Sequence, residues 1–150
     1  MESSPYKTFF FKKILYVLYL QVRIEFHLHC GFSGMQDGLT DTYTTYACGF
    51  KPSTIAPVGE AYRIFKNEYP EEFGLLYKKD GSHPSSNLGR YLGACVHYST
   101  LFGKPCLGNS YLNGLSNENA TNIQMVADAA ISDANWNYNE DTNCELSFWC

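Results

Sequence analysis

Asp80 and His83 are the residues of this chain whose types and spacing suit acid–base chemistry. They stand three apart, with Gly81 and Ser82 between them and Pro84-Ser85 after. A histidine takes a proton from a hydroxyl efficiently when its ring is held in one tautomer and one orientation. A carboxylate bonded to the other ring nitrogen does both, and it stabilises the imidazolium that forms. A turn rich in Gly, Ser and Pro can bring Asp80 to His83 without help from distant segments. Pro84 restricts His83 to extended backbone, and Ser85 or Ser86 can cap a helix that anchors the turn. The same residues are also ordinary turn and cap formers, so the four positions alone fit a structural role as well.

The elements around the turn follow from the apolar pattern. Met35, Leu39, Tyr43 and Tyr46-Ala47 recur at helical spacing, and Gly49 and Pro52 end that run. Residues 31–34 (Gly-Phe-Ser-Gly) read as a loop before it. Residues 54–58 form a short apolar run suited to a buried strand end. A helix over 59–69 turns Ala61, Ile64 and Phe65 inward, and Pro70 stops it. Leu75-Leu76-Tyr77 is a brief extended stretch leading into the Asp80 turn. A long helix follows, with Leu88, Tyr91, Leu92, Cys95, Val96, Leu101 and Phe102 as its apolar face, closed by Gly103 and Pro105. A last helix spans 116 to about 131 through Ile123, Val126, Ala127 and Ala130. Helices alternating with short apolar runs predict an α/β fold on a parallel sheet, whose reactive loops lie at the carboxyl ends of strands.

Composition narrows the function classes. The 150 residues fit one domain, and 45% hydrophobic content supports a real core. The net charge of −4, with 11 Lys and Arg spread along the chain, argues against a nucleic-acid footprint. The apolar run at 14–20 is too short for a bilayer, which needs about 20 residues. It reads as a parallel-sheet strand or as the apolar part of a signal peptide, although no small-x-small cleavage site follows. The compartment stays open. Six cysteines contain no Cys-x-x-Cys. Cys95 falls within a helical apolar pattern and is read as a buried thiol, while Cys144 and Cys150 would pair in an oxidising compartment, which would make this a small cysteine-stabilised protein. His27-Leu28-His29-Cys30 places two imidazoles on one strand face, but no further ligand at a telling spacing completes a zinc site. His97 reads as a surface or edge residue of the long helix. Asn119-Ala120-Thr121 is a glycosylation sequon of the kind common by chance.

The turn has a wider context. Residues 76–85 (Leu-Tyr-Lys-Lys-Asp-Gly-Ser-His-Pro-Ser), then Gly89, residues 91–96 and residues 101–104 (Leu-Phe-Gly-Lys), resemble the last conserved block of SGNH (GDSL-type) hydrolases. Residues 55–62 resemble the segment before that block in one bacterial-type branch, and Gly34-Met35-Gln36 with Leu39 and Tyr43 looks like the preceding helix. The likeness covers roughly residues 34–131. It divides the chain into an unmatched apolar segment (1–30), a hydrolase-like part (31–131) and a polar tail (132–150). The resemblance implies a partial three-layer α/β/α sandwich that hydrolyses an ester of a small molecule, carbohydrate or lipid. Asp80 would be the orienting acid and His83 the general base, with no metal or cofactor.

That family takes its nucleophile from a Gly-Asp-Ser or Gly-Asn-Ser turn well before the Asp-x-x-His block. The 30 or so residues ahead of the matched part contain no such turn, so the chain reads as a C-terminal portion that is inactive alone. Gly108-Asn109-Ser110 has the right letters but follows the histidine helix, with no apolar strand before it. Ser33 lacks the Gly-x-Ser-x-Gly frame of a strained nucleophile turn. The rival reading is a remnant or interaction module that keeps the helices without the reaction.

Overall fold

The computed structural model describes residues 27–49 and 54–133. Four helices succeed one another: α1 (His27–Gly49), α2 (Val58–Glu68), α3 (Leu88–Phe102) and α4 (Asn117–Ser132), with a 3-10 turn (Phe73–Leu76) between α2 and α3. The described residues contain no strand; their single β-type pairing is an isolated antiparallel bridge between Tyr77 and Pro84.

This overturns the expected α/β sandwich on a parallel sheet. Residues 14–20, the first expected strand, lie outside the described residues, as do Cys144 and Cys150. Residues 54–57 are irregular, and Val58 is already the first residue of α2. Pro57 has no N–H to give a neighbour, and its carbonyl is spent on the Ala61 N–H at 3.1 Å, the first bond of the helix. Leu75 and Leu76 close a 3-10 turn, and only Tyr77 after them is extended. The segment starting at His27 is helical rather than a strand. Residues 31–34 are likewise part of α1, broken only at Gly31, whose φ of 62° and ψ of −167° suit a residue without Cβ.

The helices form where pattern and punctuation agree. In α2, Ala61, Tyr62 and Phe65 face inward; the Tyr69 N–H closes the last turn on Phe65 and Pro70 ends it. Gly103 ends α3 in the left-handed conformation (φ 61°) and donates its N–H to the Ser99 carbonyl. Ser116 caps α4, its Oγ accepting the Asn119 N–H at 3.2 Å. Ala120, Ile123, Ala127 and Ala130 then line one face of α4 and are fully buried. The three alanines of that face leave room for α4 to pack on α2 and α3.

Phe65, Leu76, Leu92, Val96 and Ile123 are the largest aliphatic and aromatic side chains withdrawn completely from water. Each contributes about 1.5–3 kcal/mol. Leu101 and Phe102, expected on the apolar face, are exposed in the last turn of α3, where Phe102 leans on the Tyr98 ring at 5.2 Å. The contact of α1 with α2 is polar instead. Gln36 is buried and donates to Glu60 Oε1 at 3.1 Å, and Thr40 donates to the same oxygen at 2.7 Å. Arg63 reaches Asp37 at 2.6 Å; its Nε lies 3.1 Å from Glu60 Oε2, close enough for charge attraction but outside hydrogen-bond alignment. Gly59 leaves the space that the Gln36 side chain fills.

Candidate acid–base site

The Asp80 turn is a closed loop between the 3-10 turn and α3. The Ser85 N–H donates to the Leu76 carbonyl at 2.7 Å, and the Lys78 N–H donates to the His83 carbonyl at 2.7 Å. Together with the Tyr77–Pro84 bridge these bonds make a short, hairpin-like base. At the tip the Gly81 N–H returns to the Lys78 carbonyl at 2.9 Å, and Gly81 takes φ 70°, which a residue with a Cβ adopts only under strain. The loop stands on a wholly buried residue, Leu76.

Its foot is fixed from two sides. A Cβ on Gly89 would fall 2.1 Å from the Leu76 carbonyl oxygen and 2.9 Å from the Tyr62 hydroxyl, so only glycine lets α3 start against the loop. The Tyr62 hydroxyl donates to the Gly89 carbonyl at 3.1 Å. The Ser85 Oγ accepts the Gly89 N–H at 3.0 Å and so serves the start of α3 from one turn ahead, while Asn87, at the cap position, offers no side-chain bond. On the other side a row of edge-on rings runs from α1 to the loop: Phe32 on Phe73 at 5.1 Å, Phe73 on Tyr77 at 5.5 Å, and Tyr77 on Tyr62 at 5.6 Å. Lys66 Nζ lies 4.9 Å over the Phe32 ring. Burial in this row pushes the Tyr77 phenol up to about 12.

Asp80 and His83 meet at the tip. Asp80 Oδ1 accepts the backbone N–H groups of Ser82 and His83, each at 2.9 Å, and Oδ2 lies 3.0 Å from His83 Nδ1. The two backbone donors, first His83 and then Ser82, hold the Asp80 carboxyl well below the usual carboxylate range, and the His83 ring adds to this. A carboxylate acceptor at Nδ1 selects the tautomer protonated there and leaves the lone pair on Nε2. Both side chains stay about half exposed, 47% for Asp80 and 53% for His83. Among the described residues no hydroxyl or thiol is hydrogen-bonded to Nε2. The arrangement can accept and return a proton at one aimed nitrogen.

The sequence marks Ser82 as a turn former only, yet its hydroxyl donates to Asp80 Oδ1 at 3.2 Å and lies 3.2 Å from His83 Nδ1. Its position two residues after an aspartate was the available signal. Tyr62, which clasps the foot of the loop 27 positions before Gly89, carried none. The two serines weighed as replacements lie elsewhere: Ser33 is exposed on α1 and Ser110 is exposed on the connector between α3 and α4. No described hydrogen bond joins either to His83. His97 is partly exposed and bonds the Gly93 carbonyl of its own helix through Nδ1 at 2.7 Å. Cys95 is buried, as its place in the apolar pattern predicts, and so is Cys106. Burial pushes both thiols up, which makes them poor nucleophiles.

Among the described residues no three His, Cys, Asp or Glu side chains gather into a set that would hold a metal ion, and no helix is long and apolar enough to cross a membrane. No protein-family model matches the chain, and neither a curated protein nor a solved structure is significantly similar to it.

Proposed function

We propose that this chain carries the acid–base half of a serine ester hydrolase. His83 Nε2 takes the proton of an attacking hydroxyl and later returns it to the leaving alcohol, while Asp80 orients the ring and stabilises its charged form. The nucleophilic serine comes from outside the described residues. The single observation that carries this reading is the 3.0 Å approach of Asp80 Oδ2 to His83 Nδ1 on a ring that stays half exposed. The likeness of residues 76–104 to the Asp-x-x-His block of SGNH hydrolases supports the ester class; the sandwich fold of that family forms no part of the proposal.

One observation favours a second reading, a non-catalytic module. Three of the four bonds to Asp80 are turn closures that need no reaction to explain them. Hydrolysis of a short-chain aryl ester by the full chain separates the two. With no serine turn found in the chain, the acid–base reading expects no acyl-enzyme and only slow attack by a water that His83 activates, a rate that falls together in His83→Ala and Asp80→Asn. A rate that neither substitution changes contradicts it and leaves the module.

A further inference from the structure

We propose that Ser82 is a positioning residue for His83, a role that rests on the acid–base reading above. Its hydroxyl has one hydrogen and two neighbours at the same distance, 3.2 Å to Asp80 Oδ1 and 3.2 Å to His83 Nδ1. The carboxylate oxygen can only accept, so the hydroxyl hydrogen goes to Asp80. Toward the ring the Ser82 oxygen then offers only lone pairs. It meets a protonated Nδ1 favourably and an unprotonated Nδ1 unfavourably.

Asp80 Oδ2 makes the same demand from 3.0 Å. The ring nitrogen therefore faces two acceptors, and a tautomer with its proton on Nε2 would set a lone pair against both. Ser82 also acts through Asp80. By adding a third donor to Oδ1, beside the N–H groups of Ser82 and His83, it holds that oxygen in the turn and keeps Oδ2 aimed at the ring. The effect belongs to the hydroxyl, because the backbone N–H of residue 82 closes the turn whatever its side chain.

The test is the ring tautomer of His83, read by long-range 15N–1H correlation in the full, 15N-labelled chain above the ordinary imidazole range. Backbone amide shifts of residues 78–85 report whether the loop stays closed. In Ser82→Ala the ratio of Nδ1-protonated to Nε2-protonated ring should fall about threefold to tenfold, the worth of one hydrogen bond. In Ser82→Thr, which restores the hydroxyl, the ratio should recover. An unchanged ratio in Ser82→Ala, or no recovery in Ser82→Thr with the loop closed, overturns the role of Ser82. Asp80→Asn serves as the reference arm. If it shifts the ratio while Ser82→Ala does not, only the serine's role is lost; if neither shifts it, the acid–base reading falls too.

Discussion

Asp128 and Asp80 each accept two backbone N–H groups and a serine hydroxyl, but they do so in different surroundings. Asp128 projects from α4 across the chain. Its Oδ1 takes the Cys106 N–H at 2.7 Å and the Ser99 hydroxyl at 2.9 Å, and its Oδ2 takes the Leu107 N–H at 2.9 Å. Gln124, one turn earlier, completes the clamp. Its Oε1 accepts the Gly108 N–H at 2.9 Å, and its amide donates to the Tyr91 hydroxyl at 2.8 Å and the Asn109 carbonyl at 3.0 Å. Tyr91 in turn donates to the Tyr111 carbonyl. Both oxygens of Asp128 are thus spent on fixing the connector between α3 and α4. Asp80 is exposed, and its turn closures fall on Oδ1 alone. Its second oxygen is left for a titratable ring. One carboxylate joins distant segments into a core; the other closes a surface loop and turns its second oxygen to the His83 ring.

The difference can be broken by substitution. Asp128→Ala strands two N–H groups and a hydroxyl at the edge of the core, and should cost about 2–4 kcal/mol in urea unfolding. Asp80→Ala, on an exposed tip whose stranded donors water can serve, should lower the unfolding midpoint by much less. Equal losses would show that the two carboxylates do the same job. Gly89→Ala comes next, at about 1–3 kcal/mol, because its Cβ must displace the Leu76 carbonyl. It should also alter the loop, visible as changed amide shifts at residues 80–83. Tyr62→Phe removes one buried bond to Gly89 and should cost about 1 kcal/mol with the ring row retained.

The smallest effect is in the acid limb. The folded Asp80 carboxyl is held below its unfolded value, near 3.8. Its contribution is therefore present above that pH and is lost as pH falls toward the folded value. Asp80→Asn should flatten the pH dependence of stability below about pH 4, with a small loss at neutral pH that vanishes in acid, as measured by thermal unfolding across that range.

The same contrast explains what the sequence made legible. Asp80 and His83 are local partners, so turn chemistry sufficed to pair them before any fold was known. Helix ends marked by Pro70, Gly103 and Ser116 were readable for the same reason. Asp128 meets partners 21 to 29 positions away, and Gln124 meets Tyr91 33 positions away. Neither pairing leaves a periodic mark. The error in fold class had a different source. Short apolar runs at 54–58 and 75–77 suit strands and helix entries equally, and their alternation with helices favours strands when the pattern alone is read. Pro57 and the 3-10 turn at Phe73–Leu76 settle them otherwise. Apolar spacing alone also placed Leu101 and Phe102 inward, although the last turn of α3 leaves them exposed.

The protonation state of the His83 ring in the unmodified chain bears most directly on the acid–base site. At about pH 8.5, above the ordinary imidazole range, the 15N shifts should show a protonated Nδ1 and an Nε2 carrying the free lone pair. A neutral ring found mainly with its proton on Nε2 would mean that Asp80 does not hold it, and the site as described would have no aimed base.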